Sequence, residues 1–365
     1  QSQPFAAEEH QPPAYYFLAS LIGHALAGSP LREAAAKMAL VFYGARGLSV
    51  LFGLTTVAAT YLLACQVFGP RRLARIGATS IVAFNPSLLA MMGAVTNDSM
   101  ATAAGAFLLL VTFKATQSHL SFKTLFGVGM LVGIAALTKE NLLPMLFPLA
   151  LSLTFMAWRK GRLRDLTITA LAVGLPAIAV ASWWYARNLN LYGDVLGWNA
   201  NALMNPTIVR SQLPGLGSYF SIASSVAETF WLGFGSTLGV RAPWPIYFTL
   251  WAGCAVALFG VLRLLRTRRP SPWLQSGRAM GLALITMDLL LLLLADLSYH
   301  RAFAGAGAGR YFFPAAGAVA IMLTLGLISA MRTRRPWLLG SFCAPLVALS
   351  VLSPFVFLAP LRVSP

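Results

Sequence analysis

Residues 282–297 read LALITMDLLLLLLADL, an apolar run interrupted only by Asp288 and Asp296. A helix needs roughly 20 mostly apolar residues to cross hydrocarbon, and this run with its flanks is of that order. Similar runs recur along the whole chain, and they are continuous rather than alternating. That pattern predicts spanning helices and not the strands of a transmembrane barrel. Spans are expected at 41–67, 76–96, 100–118, 124–139, 142–158, 166–186, 244–264, 277–297, 311–331 and 337–359, about ten in all. The expected fold is therefore all-α and polytopic, with 1–365 forming a single membrane domain.

Composition agrees. The chain is 58% hydrophobic and only 10% charged, against roughly 25% charged residues in soluble domains, so a water-soluble core could not hide its apolar surface. The net charge of +17 does not point to nucleic acid, because the cations fall in clusters between apolar runs. Arg71, Arg72 and Arg75 form one cluster, and Arg159, Lys160, Arg162 and Arg164 another; Arg263, Arg266, Arg268 and Arg269, then Arg332, Arg334 and Arg335, complete the set. Cytoplasmic loops carry this bias. Placing every cluster on one side leaves 1–40, the turns around Asp98 and Lys139, the long loop 187–243, the loop 298–310 and the C-terminal tail on the other side. The apolar stretch 14–28, after Pro12 and Pro13, is short for a span and reads as an interfacial helix on the outer face. Cys65, Cys254 and Cys343 sit in apolar runs without CxxC spacing and read as packing residues. No signal peptide is visible in the first dozen residues.

Polar residues that escape the basic clusters collect at the expected outer side. Glu8, Glu9 and His10 precede the prolines and suit either a metal or a solvated lead-in to the helix. Asp98 lies at a helix junction, where it could cap the next helix near Met100, act as a catalytic acid, or do both. Lys139 and Glu140 either neutralise each other or present an ammonium to a lipid phosphate. Arg187 and Arg310 run against the charge bias, so an anion is expected beside each: a phosphate, which suits a guanidinium fork, or a carboxylate such as Asp194, Glu228 or Asp296. Asp288 reads as a hydrogen-bonding group between helices or a proton relay.

Taken in order, Glu9-His10-Gln11-Pro12-Pro13-Ala14-Tyr15-Tyr16, Arg46-Gly47-Leu48-Ser49, Asn97-Asp98, Thr138-Lys139, Arg187-Asn188 with Tyr192-Gly193, and Gly309-Arg310-Tyr311 with Pro314 resemble the GT-C superfamily of membrane glycosyltransferases. The likeness is to its protein O-mannosyltransferase and aminoarabinose lipid A transferase branch. The resemblance implies a hexosyltransferase-like enzyme of a bacterial cytoplasmic (inner) membrane. A polyprenyl-phosphate sugar would be its donor and a glycan, lipid or protein its acceptor, with the active site facing outward. It implies a first-loop catalytic acid and one further helix upstream of Gln1, with Asp98 as the second acid and Glu9 a poor positional substitute for the first. His10, Lys139, Glu140, Arg187, Tyr192, Arg310 and Tyr311 become candidate substrate-binding residues. A divalent cation (Mg or Mn) is a possible cofactor, with Asp98 its candidate ligand. A transporter or flippase of lipid-linked sugars and a non-catalytic membrane assembly protein are the competing readings.

Overall fold

The computed structural model describes residues 11–28, 33–159, 161, 163–234, 240–266, 276–305, 307–330 and 337–358. Along these the chain is helical almost throughout: α1 Ala14–Ala27, α2 Ala34–Phe68, α3 Arg72–Ala83, α4 Pro86–Met92, α5 Asn97–Gln117, α6 Phe122–Ala136, α7 Leu146–Trp158, α8 Leu163–Tyr192, α9 Trp198–Met204, α10 Leu216–Thr229, α11 Trp244–Arg266, α12 Ser276–Ala302, α13 Ala316–Ala330 and α14 Trp337–Ser353. The described strands are the two-residue pair Gly233–Phe234 and Val240–Arg241, antiparallel to each other. Among the described residues eight helices are long and apolar enough to cross a membrane, nine if α3 and α4 count as one bent span. This is the polytopic architecture expected, because in hydrocarbon a helix is the segment that satisfies its own backbone.

Several boundaries differ from the sequence reading, each for a visible reason. The expected span 76–96 breaks between α3 and α4 with a bend of 59°. Pro86 cannot donate to the helix ladder, and Asn85 instead caps α4 by accepting the Leu88 N–H at 3.0 Å. The expected span 124–139 is α6, whose 15 residues extend only about 22 Å at 1.5 Å per residue. α8 runs to Tyr192, so Arg187 and Tyr192 sit in its last turns rather than in a loop beginning at 187. α12 likewise extends to Ala302, into the loop expected at 298–310. The spans at 142–158 and 311–331 open as tight 3₁₀ turns, Glu140–Met145 and Gly309–Ala315, each containing a proline.

α5 and α13 are the inner helices, with 78% and 72% of their apolar windows buried, whereas α8, α11 and α14 bury 17–22% and turn leucine and phenylalanine faces outward. Small residues set the closest crossing. Gly260 of α11 and Gly326 of α13 face each other so tightly that a Cβ on either would run into the partner's backbone, the small-residue contact by which helices associate without a hydrophobic drive between them.

The helix ends separate two chemistries. At one end Arg159 Nη1 donates to Thr116 O (3.3 Å) and Arg263 Nη1 to Ala330 O (3.0 Å), which gathers the basic ends of α5, α7, α11 and α13. At the other end lie the N-terminus of α5, the turn after α6, the C-terminus of α12 and the 3₁₀ turn before α13. The described part of the segment 187–243 has its own structure there: α9, α10 and the short strand pair.

Candidate active site

Asp98 is not the cap of α5. Thr96, extended at φ −156° and ψ 145°, takes that position and accepts the Asp98 N–H at 3.2 Å through Oγ1. The carboxylate of Asp98 is thereby left to other partners, and it is only 3% exposed. Lys139 Nζ forms an ion pair with Oδ1, the Thr96 hydroxyl donates to Oδ2 at 3.3 Å, and Arg310 Nε lies 3.9 Å from Oδ2. Removing one partner from such a buried group costs several kcal/mol, about 3–5 for a fully buried pair. Lys139 and Glu140 therefore do not neutralise each other. Glu140 instead accepts from Trp198 Nε1 at 3.1 Å.

Three elements bring the two cations together. Lys139 enters extended from the end of α6, and Arg310 lies in the 3₁₀ turn leading to α13. Asn141 Nδ2 donates to Tyr311 O at 3.1 Å and ties the two turns. The Tyr311 ring adjoins both, 5.2 Å from Lys139 Nζ and 5.3 Å from Arg310 Cζ, within cation–π range. α5 approaches this turn closely: a Cβ on Gly105 would lie 2.5–2.7 Å from Pro314 atoms, so only glycine allows the contact.

Helix α1 closes over the same place. Tyr15 is fully buried, and its hydroxyl shares a hydrogen bond of 2.8 Å with Ser49 Oγ while accepting the Thr96 N–H at 3.1 Å. Gln11 Oε1 accepts from Asn97 Nδ2 at 2.8 Å, and the Ala14 N–H donates to Leu137 O. The Gln-Pro-Pro-Ala-Tyr stretch is thus fastened across α2, α5 and α6.

Together these residues line a cavity of about 550 Å³, within the ordinary range for small-ligand sites. Of the candidate residues, Asp98, Lys139, Glu140, Arg310 and Tyr311 face it. Its other wall was missed: Trp198, Asn201 and Asn205 from α9, and Leu292, Ala295, Asp296 and Tyr299 of α12. The α12 set repeats at helical spacing and so defines one face, a signal present in the sequence but hidden within a run apolar on all sides.

Other candidates lie elsewhere. Arg187 and Tyr192 are not among the residues lining the cavity; Arg187 donates to Asn188 Oδ1 at 3.1 Å and lies over the Trp184 and Tyr192 rings, at 4.7 and 5.7 Å. Of the carboxylates offered as partners for the two arginines, Glu228 pairs with Arg241 at 2.6 Å, Asp194 accepts the Leu196 and Asn199 N–H groups, and Asp296 adjoins His300. Asp288, 1% exposed, has no hydrogen-bond partner on either oxygen among the described residues, so the expected interhelical bond is not made. Glu9 and His10 lie outside the described residues. The two oxygens of Asp98, the candidate ligand of a divalent ion, face an ammonium, a hydroxyl and a guanidinium. Among the described residues no cluster of three or more His, Cys, Asp or Glu side chains is arranged to hold a metal.

Residues 10–185 match the family model for dolichyl-phosphate-mannose-protein mannosyltransferases. No relative was found among curated protein sequences. The fold is similar to that of ArnT from Cupriavidus metallidurans bound to undecaprenyl phosphate, with a TM-score of 0.50 and 17% identity over 95% of this chain. This chain spans 55% of that one. The Archaeoglobus fulgidus oligosaccharyltransferase, complexed with zinc and sulfate, aligns at a TM-score of 0.43 and 16% identity, over 96% of this chain and 43% of that one. The N-terminal portion of the chain thus matches a GT-C family model, and its fold is similar to that of ArnT.

Proposed function

We propose that this protein transfers a sugar, hexosyltransferase-like, from a polyprenyl-phosphate-linked donor to a glycan, lipid or protein acceptor at the extracytoplasmic face of a bacterial inner membrane. One observation carries the reading: Lys139 and Arg310 converge on the buried Asp98 at the edge of a cavity, at the helix ends opposite the basic clusters. Paired cations held this way suit a phosphate, which a guanidinium grips as a fork and an ammonium as a point charge. The similarity to a transferase bound to undecaprenyl phosphate supports the same donor class. The outward orientation follows from the positive-inside bias of the basic ends.

In this reading the acceptor hydroxyl oxygen bonds to the anomeric carbon as the bond from that carbon to the phosphate oxygen breaks. The electron pair leaves with the polyprenyl phosphate, and the hydroxyl proton passes to a carboxylate base. Lys139 and Arg310 receive the charge growing on the leaving phosphate, where fixed donors act most strongly. Asp98 holds the two cations in place before the donor arrives. The test is transfer of radiolabelled sugar from polyprenyl-phosphate donors in membranes carrying the full-length protein, beside a Lys139→Met variant that inserts equally well. Loss of transfer in the variant is expected. No transfer by the intact protein from any donor would instead favour a translocator of lipid-linked sugars.

A further inference from the structure

The cations occupy only part of the cavity, and the remaining wall has a chemistry that phosphate does not explain. Asp296 of α12 lines it while being only 8% exposed. Its Oδ1 lies 3.7 Å from His300 Nε2, beyond hydrogen-bond range, and its Oδ2 has no hydrogen-bond partner among the described residues. A buried carboxylate with bonding capacity unspent is costly, and a ligand that donates hydroxyls removes that cost. Trp198 lines the same cavity, braced edge-on by Tyr299 at 6.1 Å and Phe303 at 6.0 Å, with its Nε1 held by Glu140. Two amides complete the wall: Asn205 donates to Asn201 Oδ1 at 3.1 Å, and Asn201 reaches the Tyr299 hydroxyl at 3.4 Å.

An indole, unspent carboxylate and carboxamides in one wall match a saccharide, whose C–H faces pack on aromatic rings while its hydroxyls donate to carboxylates and bridge amides. We propose that Asp296 and Trp198 form the subsite for the sugar of the lipid-linked donor and set which sugar is accepted: Asp296 takes hydrogen bonds from ring hydroxyls, and Trp198 supplies the apolar face. The inference rests on the donor reading above, because the cations assigned to the phosphate line the same cavity.

The purified full-length protein is titrated with bare undecaprenyl phosphate and with undecaprenyl phosphate carrying a neutral hexose, a neutral pentose or an N-acetylhexosamine. The wild type should bind at least one sugar-bearing lipid more tightly than the bare one, by roughly tenfold or more for charge-assisted bonds to a buried carboxylate. The isosteric Asp296→Asn should abolish that preference and leave affinity for bare lipid phosphate unchanged, which also reports an intact fold. Trp198→Phe, which keeps an aromatic face and loses the N–H bond to Glu140, should weaken the preference by a smaller factor. Wild-type preference retained in Asp296→Asn would overturn the inference alone, as would an intact protein that binds every lipid equally. Failure of the wild type to bind bare undecaprenyl phosphate would overturn the donor reading, and the subsite with it.

Discussion

Replacing Lys139 with methionine keeps the length of the side chain but leaves Asp98, 3% exposed, with Thr96 and a guanidinium 3.9 Å away. Breaking a buried pair by removing one partner costs about 3–5 kcal/mol, and the remaining partners place this case near the lower bound, at about 3 kcal/mol. Asp98→Asn should cost less, about 1 kcal/mol, because the Lys139 side chain is 17% exposed and can turn toward the water of the cavity. The double variant then carries neither stranded charge. Its cost should fall short of the sum of the singles by roughly 2 kcal/mol, the signature of a direct pair. Denaturant unfolding in detergent micelles, followed by tryptophan fluorescence, measures all four proteins. Undecaprenyl phosphate binding separates the roles: stability should recover in the double variant, whereas binding should not. Costs that add within about 0.5 kcal/mol would refute the pairing, and recovered binding would show that Lys139 serves only the fold.

Three further outcomes are expected. Gly105→Val should force the turn around Pro314 away from α5, at about 1–3 kcal/mol for overpacking, with weakened lipid-phosphate binding in titration because Arg310 and Tyr311 move with that turn. Tyr15→Phe should destabilise by about 1–3 kcal/mol in denaturant melts, since it strips the buried Ser49 hydroxyl and the Thr96 N–H of a shared partner. A cysteine at Leu213 should react with a membrane-impermeant thiol reagent in intact cells and one at Ser118 should not; the reverse pattern would invert the orientation drawn from the basic clusters.

How much of this was legible in sequence follows from the kind of signal each feature leaves. Apolar runs bounded by arginines mark spanning helices, so the polytopic fold was plain from residues such as 282–297. The break at Asn85-Pro86 was only partly legible: proline marks a possible kink, but its size depends on Asn85 Nδ2 donating to Phe230 O at 2.9 Å, a contact far away in sequence. Asp98, Lys139 and Arg310 stood out because ions away from basic clusters are rare in such chains, and Tyr311 only through the family motif it shares with Arg310. Their partnership was not readable, and Lys139 read either as the partner of its neighbour Glu140 or as an ammonium facing a lipid phosphate. Asp296 was noticed only as a candidate partner of an arginine, because the helical spacing of its face is masked in a run apolar on all sides, and Trp198 was hidden in a segment whose path no local pattern gives.

Thr229, 1% exposed at the end of α10, holds two distant segments. Its carbonyl accepts from Ser87 Oγ at 2.8 Å, at the start of the bent half-span, and its Oγ1 accepts the Gly309 N–H at 2.8 Å, next to Arg310. Ser225, one turn earlier, donates to Gly307 O at 2.7 Å. For a chimera that exchanges part of 187–243, these bonds decide where a splice can fall. Residues 193–215 are no free cassette, because Trp198, Asn201 and Asn205 line the cavity and Arg210 Nε donates to Phe303 O at 3.2 Å; a splice point beyond Ser225 would in addition sever the fastening of the turn that carries Arg310.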